Sequence, residues 1–113
     1  MYIVWQFFKN YTLIKNKIIL GTVQLGVDYG INNKKGRPKR SHSLEILKYA
    51  HNNGIKTVDT SDSYGTSNEL ISDYNKTSLK PYRVIYKLNF EHPNSKLDLR
   101  KQIIRKIKNL NLD

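Results

Sequence analysis

Apolar residues fall in short clusters along this chain, and the clusters alternate in kind. Residues 17–21, 55–60 and 83–88 are compact, β-prone runs bounded by turn or loop residues, which predicts three strands. Between the first two, Leu44, Leu47 and Ala50 recur at helical spacing, predicting a helix over 41–50, and Asn53-Gly54 supplies a left-handed stop. After the second run, Thr66-Ser67-Asn68-Glu69 matches a capping box and predicts a short helix to about Tyr74. Ser95-Lys96-Leu97-Asp98 repeats that signature ahead of Leu99, Ile103, Ile107 and Leu110, an apolar stripe on a third helix.

The order strand, helix, strand, helix, strand, helix implies right-handed crossovers and a parallel sheet of the α/β class. Residues 1–16 stand outside the alternation and are expected to form an N-terminal extension, leaving 17–113 as the β-α part. Three such units do not close a sheet on itself, because a whole β-α barrel needs about 250 residues. Nor do they make a convincing open sheet, so the chain is expected to be part of something larger, cut near 110–113 where a fourth strand would begin.

Composition narrows the chemistry. The 113 residues include no Cys, so a disulfide framework, a thiolate zinc site and a cysteine nucleophile are all excluded, and no metal site is expected. No apolar run approaches the roughly 18 residues of a membrane span. Residues 1–8 are apolar but lack a basic leader and a small-residue cleavage site, so the expected location is cytoplasmic. The 20 Lys and Arg against 9 Asp and Glu give a net charge of +11. Much of it sits in Lys34, Lys35, Arg37, Lys39 and Arg40, and in Lys96, Arg100, Lys101, Arg105, Lys106 and Lys108. A solvated surface explains these sets most simply; the rival reading is a non-catalytic basic β-α remnant that binds nucleic acid or an acidic partner, with nucleic acid not favoured. Gly21, Gly26, Gly30 and Gly36 follow a strand, but their spacing fits neither a dinucleotide fingerprint nor a P-loop.

Asp59 ends the second predicted strand, Tyr64 follows it in a loop, and Lys87 ends the third. Strand C-termini and the loops that leave them form the active face of parallel α/β folds, so these side chains are candidates to converge. A free phenol holds its proton up to about pH 10, and a neighbouring ammonium favours the phenolate. Lys87 is placed to act this way on Tyr64, with Asp59 orienting the ammonium and compensating its charge. Such a trio would suit a general acid that protonates a developing alkoxide.

Three stretches carry a more specific signal: Ile19-Leu20-Gly21-Thr22-Val23-Gln24-Leu25-Gly26, Tyr29-Gly30-Ile31-Asn32, and residues 54–69 with the pattern Gly-x-x-x-x-Asp-Thr-x-x-x-Tyr-Gly-x-x-x-Glu. From about Lys17 onward the chain resembles the N-terminal portion of the aldo-keto reductases. The resemblance implies a partial (β/α)8 TIM barrel, its first three β-α units, and an NADPH-dependent enzyme that reduces an aldehyde or ketone to an alcohol. It implies that Asp59, Tyr64 and Lys87 are three of the family's four catalytic groups, and that Gly21, Thr22 and Asp59 approach the nicotinamide. The family's fourth group, a His ending the fourth strand, has no counterpart; His42, His51 and His92 are expected to be solvated or locally bonded. The cofactor's phosphates are gripped in the family by late strands and loops, so the 113-residue chain alone is expected to be inactive, and to self-associate or need a complementing chain.

Overall fold

The computed structural model describes residues 17–89 and 92–108; the 1–16 extension and Leu110 lie outside them. Three strands are present, β1 (Ile19–Gly21), β2 (Thr57–Ser61) and β3 (Arg83–Lys87), with four helices, α1 (Val23–Gly26), α2 (Arg40–Asn52), α3 (Ser67–Thr77) and α4 (Lys96–Lys108). The strands form one parallel sheet in the order β1-β2-β3. The α/β class and parallel topology are therefore as expected, with strand ends displaced by a residue or two.

Register sorts the side chains by face. Leu20, Val58 and Val84 are paired across the three strands and point toward the helices, while Gly21, Asp59 and Ile85 are paired on the opposite face. On the helix side, Leu47 and Ile71 are fully buried against Val58, with Leu25, Leu70 and Tyr82 completing the core. Burying one such side chain contributes about 1.5–3 kcal/mol, and the periodic positions of α2 and α3 supply most of this apolar surface. On the other face Ile19 and Ile85 remain 49% and 45% exposed. Parallel sheets normally have both faces covered, and none of the described helices covers this one.

Local signals account for the helix ends unevenly. Gly54 adopts φ +92°, and the N–H groups of Gly54 and Ile55 donate to the carbonyls of His51 and Ala50, closing α2 as its Asn-Gly signature predicts. At α4, Ser95 Oγ accepts from the Asp98 N–H at 3.1 Å, so that half of the capping box forms. At α3 the predicted box does not form: Thr66 is the N-cap but makes no side-chain cap bond, and its hydroxyl instead accepts from Arg37 at 3.5 Å. The helix also runs beyond Tyr74 to Thr77. The apolar stripe of α4 is not a buried one, since no residue of that helix is buried and Ile107 is 41% exposed.

Behind the sheet, Tyr82 is fastened by polar contacts as well as apolar ones. Asn75 accepts the Tyr82 N–H at 2.9 Å, and the Tyr82 hydroxyl donates to the Leu47 carbonyl at 2.6 Å. Burial pushes the Tyr82 phenol well above its ordinary range, so it stays a donor. His51 is buried, not solvated: its ring packs edge-on to Tyr82 and Tyr74, and burial, helped by Lys56 and Lys80, lowers its pKa. His42, as expected, is exposed and meets Glu45 at 3.5 Å, and His92 is exposed in the loop before α4.

Candidate active site

The C-terminal ends of β2 and β3 bring the three predicted side chains together. Ser61 is the register partner of Lys87, so Lys87 lies two residues beyond the level of Asp59 and on the same open face. Its ammonium reaches back to Asp59 Oδ1 at 2.8 Å and donates to the Tyr64 hydroxyl at 2.7 Å. The same nitrogen sits 4.9 Å from the Tyr64 ring centroid. Hydrogen bonds to Asp59 first and Tyr64 second raise the Lys87 pKa above the ordinary lysine value. The ammonium is thus kept charged while its side chain remains 52% exposed to whatever occupies the open face.

Backbone and polar contacts fix each member. The Thr22 N–H and hydroxyl both donate to the Asp59 carbonyl, at 3.1 and 2.9 Å. Ser67 Oγ in turn donates to the Thr22 carbonyl at 2.5 Å, tying the start of α3 to the end of β1. Thr22 is fully buried, and these bonds hold Asp59 in place. Gly21 has the opposite setting, since a Cβ there would meet nothing within 4 Å. The Tyr64 loop is folded on itself, with the Tyr64 N–H on the Ser61 carbonyl and the Ser67 N–H on the Tyr64 carbonyl. Asn68 adds a staple, accepting from Thr60 Oγ1 while its amide donates to the Ser61 carbonyl and the Tyr86 hydroxyl.

Asp62 is a residue that pattern reading did not single out. Its carboxylate accepts the Asn89 N–H at 3.1 Å on both oxygens and is bonded to the Lys106 ammonium of α4. Burial pushes the Asp62 pKa up, but the Lys106 hydrogen bond and the Asn89 N–H outweigh it and leave the group below its ordinary 3.8. A carboxyl whose folded pKa is depressed stabilises the fold above the unfolded value, and that contribution is lost as pH falls through the folded one. Acidification through the unfolded carboxyl pKa of about 3.9 and on below it, through the depressed folded value, should release the Asn89 amide and α4. Accelerated hydrogen exchange at Asn89 would report this, and Asp62→Asn should remove the pH dependence of that step.

The cluster and sheet together define a parallel α/β protein with a phenol, an ammonium and a carboxylate at its strand ends. A family model described as the Aldo/keto reductase family matches residues 17–113, and the chain belongs to that family. Two solved structures of Pseudomonas aeruginosa proteins assigned to the aldo-keto reductases are similar in fold. One is 26% identical, with a TM-score of 0.64 over 84% of this chain and 38% of its own; the other is 24% identical, with a TM-score of 0.62 over 84% and 37%. The chain thus spans under two fifths of the length of these relatives, and its three parallel strands correspond to part of a TIM barrel. No curated protein sequence matches the chain. Among the described residues no helix is long and apolar enough to cross a membrane.

Proposed function

We propose that this chain supplies the catalytic corner of a cytoplasmic, NADPH-dependent reductase that converts an aldehyde or ketone to an alcohol. The observation that carries the reading is the Lys87 ammonium, bonded at once to the Tyr64 hydroxyl at 2.7 Å and to Asp59 at 2.8 Å. A nicotinamide, when bound, would supply the hydride. Negative charge then builds on the carbonyl oxygen, and Tyr64 donates the proton that turns it into a hydroxyl. The phenolate left behind faces the Lys87 ammonium, whose charge Asp59 orients and balances. Gly21 and Asp59 are the residues of this chain that would meet the nicotinamide, Gly21 because nothing crowds its Cα.

On this reading the open face, with Ile19 and Ile85 exposed, is the inner wall of a barrel that further strands would cover. The 113-residue chain by itself is expected to be inactive and to self-associate or bind a complementing chain. The test supplies the remaining strands, in the same polypeptide or as a second chain, and adds aldehydes with NADPH deuterated at the nicotinamide C4. Deuterium should be found on the alcohol carbon. Consumption of NADPH without that transfer, or no turnover across linear, branched and aromatic aldehydes, would remove the proposal.

A further inference from the structure

The basic loop before α2 has no task in carbonyl reduction, yet it opens onto a built pocket on the helix side of the sheet. This pocket encloses about 330 Å³, within the lower range of small-molecule sites and more than a bare oxyanion fills. Arg37, Lys39 and Arg40 line one part of it, and Leu25, Pro38 and Leu70 another. The first turn of α2 also lies here. Its N-cap Lys39 makes no side-chain cap bond and no acidic residue stands in that turn. The opening amides of a helix have no partner within it, and the helix dipole favours a negative charge beside them.

A second observation is independent of the helix end. Ser43 also lines this pocket, is fully buried, and its hydroxyl has no hydrogen-bond partner. Buried hydroxyls are nearly always bonded, and leaving one unpaired costs stability, so an orphan in a pocket wall calls for a partner brought from outside. Arg37 is held in position, since its Nη1 donates to the Gly26 carbonyl at 3.3 Å and to Thr66 Oγ1 at 3.5 Å, and a guanidinium has further donors to offer. Arg40 pairs with Asp73. Glu69 is the carboxylate among lining residues that include three cations.

We infer that this pocket binds a phosphate monoester. The phosphate sits at the start of α2, takes the Ser43 hydroxyl as a donor and is neutralised by Arg37 and Lys39. The organic group lies on Leu25, Pro38 and Leu70. This site is separate from the Tyr64 cluster and does not depend on the carbonyl chemistry.

The test titrates the full chain with phenyl phosphate and with inorganic phosphate at constant ionic strength, following backbone amide resonances. Phenyl phosphate should shift the amides of residues 40–43 saturably and bind several-fold more tightly than inorganic phosphate. Lys39 is exposed, and Lys39→Gln should weaken binding by roughly 5–10-fold through the lost charge. Ser43→Ala should weaken binding by a similar factor while the unliganded chain melts at the same temperature or higher, because the variant removes an unpaired buried hydroxyl. Absence of saturation overturns the inference, as does a Ser43→Ala chain with raised Tm and unchanged affinity. Equal affinity for inorganic phosphate and phenyl phosphate overturns the ester assignment.

Discussion

In a barrel completed by the remaining strands, and if the proposed reduction holds, Tyr64→Phe is expected to lower carbonyl reduction by roughly 10²–10⁴-fold, the usual contribution of a positioned acid, and to leave the fold intact. The phenol oxygen has the Lys87 ammonium as its partner, and the Phe ring preserves the surface over which that ammonium sits. Most of the loss should fall on kcat, because the proton is delivered in the transition state and substrate binding does not require it. Asp59→Asn makes a graded companion. The raised pKa of Lys87 is owed first to Asp59, so removing that charge should bring it back toward the ordinary 10.5. A group whose folded pKa is raised contributes while protonated and loses that contribution as pH climbs through the folded value. Wild-type ammonium should therefore persist above pH 10.5 and the variant's should be lost earlier, which ¹⁵N resonances of the lysine side chain would follow. Full activity in Tyr64→Phe would place the proton donor elsewhere.

How much of this was visible in the chain itself depends on whether the cause is local. The parallel order was legible because each strand is a short apolar run and each helix a periodic one, and the Asn53-Gly54 stop works through its own backbone. The Thr66 box misled because a box is a statement about local geometry, whereas Arg37, 29 residues away, takes the Thr66 hydroxyl. The four residues of α1 are too few to show any period. The α4 stripe is periodic yet only partly covered, with Leu99 and Ile103 half-buried and Ile107 exposed, since periodicity reports a capacity to bury a face and not the presence of a neighbour.

The site divides the same way. Asp59 and Lys87 were legible as strand-end residues, and Tyr64 through its place in the Asp-Thr-x-x-x-Tyr-Gly segment. Their contact joins residues 23 positions apart through strand pairing. Thr22 was legible in one respect and not in another. Its position beside Gly21 suggested a ligand contact; its bond to the Asp59 carbonyl, 37 residues away, had no local signal. Asp62 and Lys106, 44 residues apart, share no sequence signal at all.

Gly26→Ala is expected to cost about 3 kcal/mol or more through overpacking, and to abolish the proposed reduction in a completed barrel. A Cβ at this position would lie 1.8 Å from the Tyr64 carbonyl oxygen, 2.4 Å from Ser67 Oγ and 2.6 Å from the Ser67 nitrogen. Two of these are backbone atoms, so no rotamer change relieves the clash; the whole 64–67 loop has to move. Moving it breaks the Ser67 bond to the Thr22 carbonyl, and Thr22 is what holds Asp59. Tyr64 leaves Lys87 in the same displacement. Gly21→Ala is the natural control, because nothing lies within 4 Å of its added carbon and the melting temperature should not change. If the nicotinamide passes over Gly21, that variant raises the KM for NADPH with kcat little altered. The two glycines would then separate a fold defect from a binding defect. A Gly26→Ala protein with wild-type Tm and activity would contradict the packing of α1 against the Tyr64 loop.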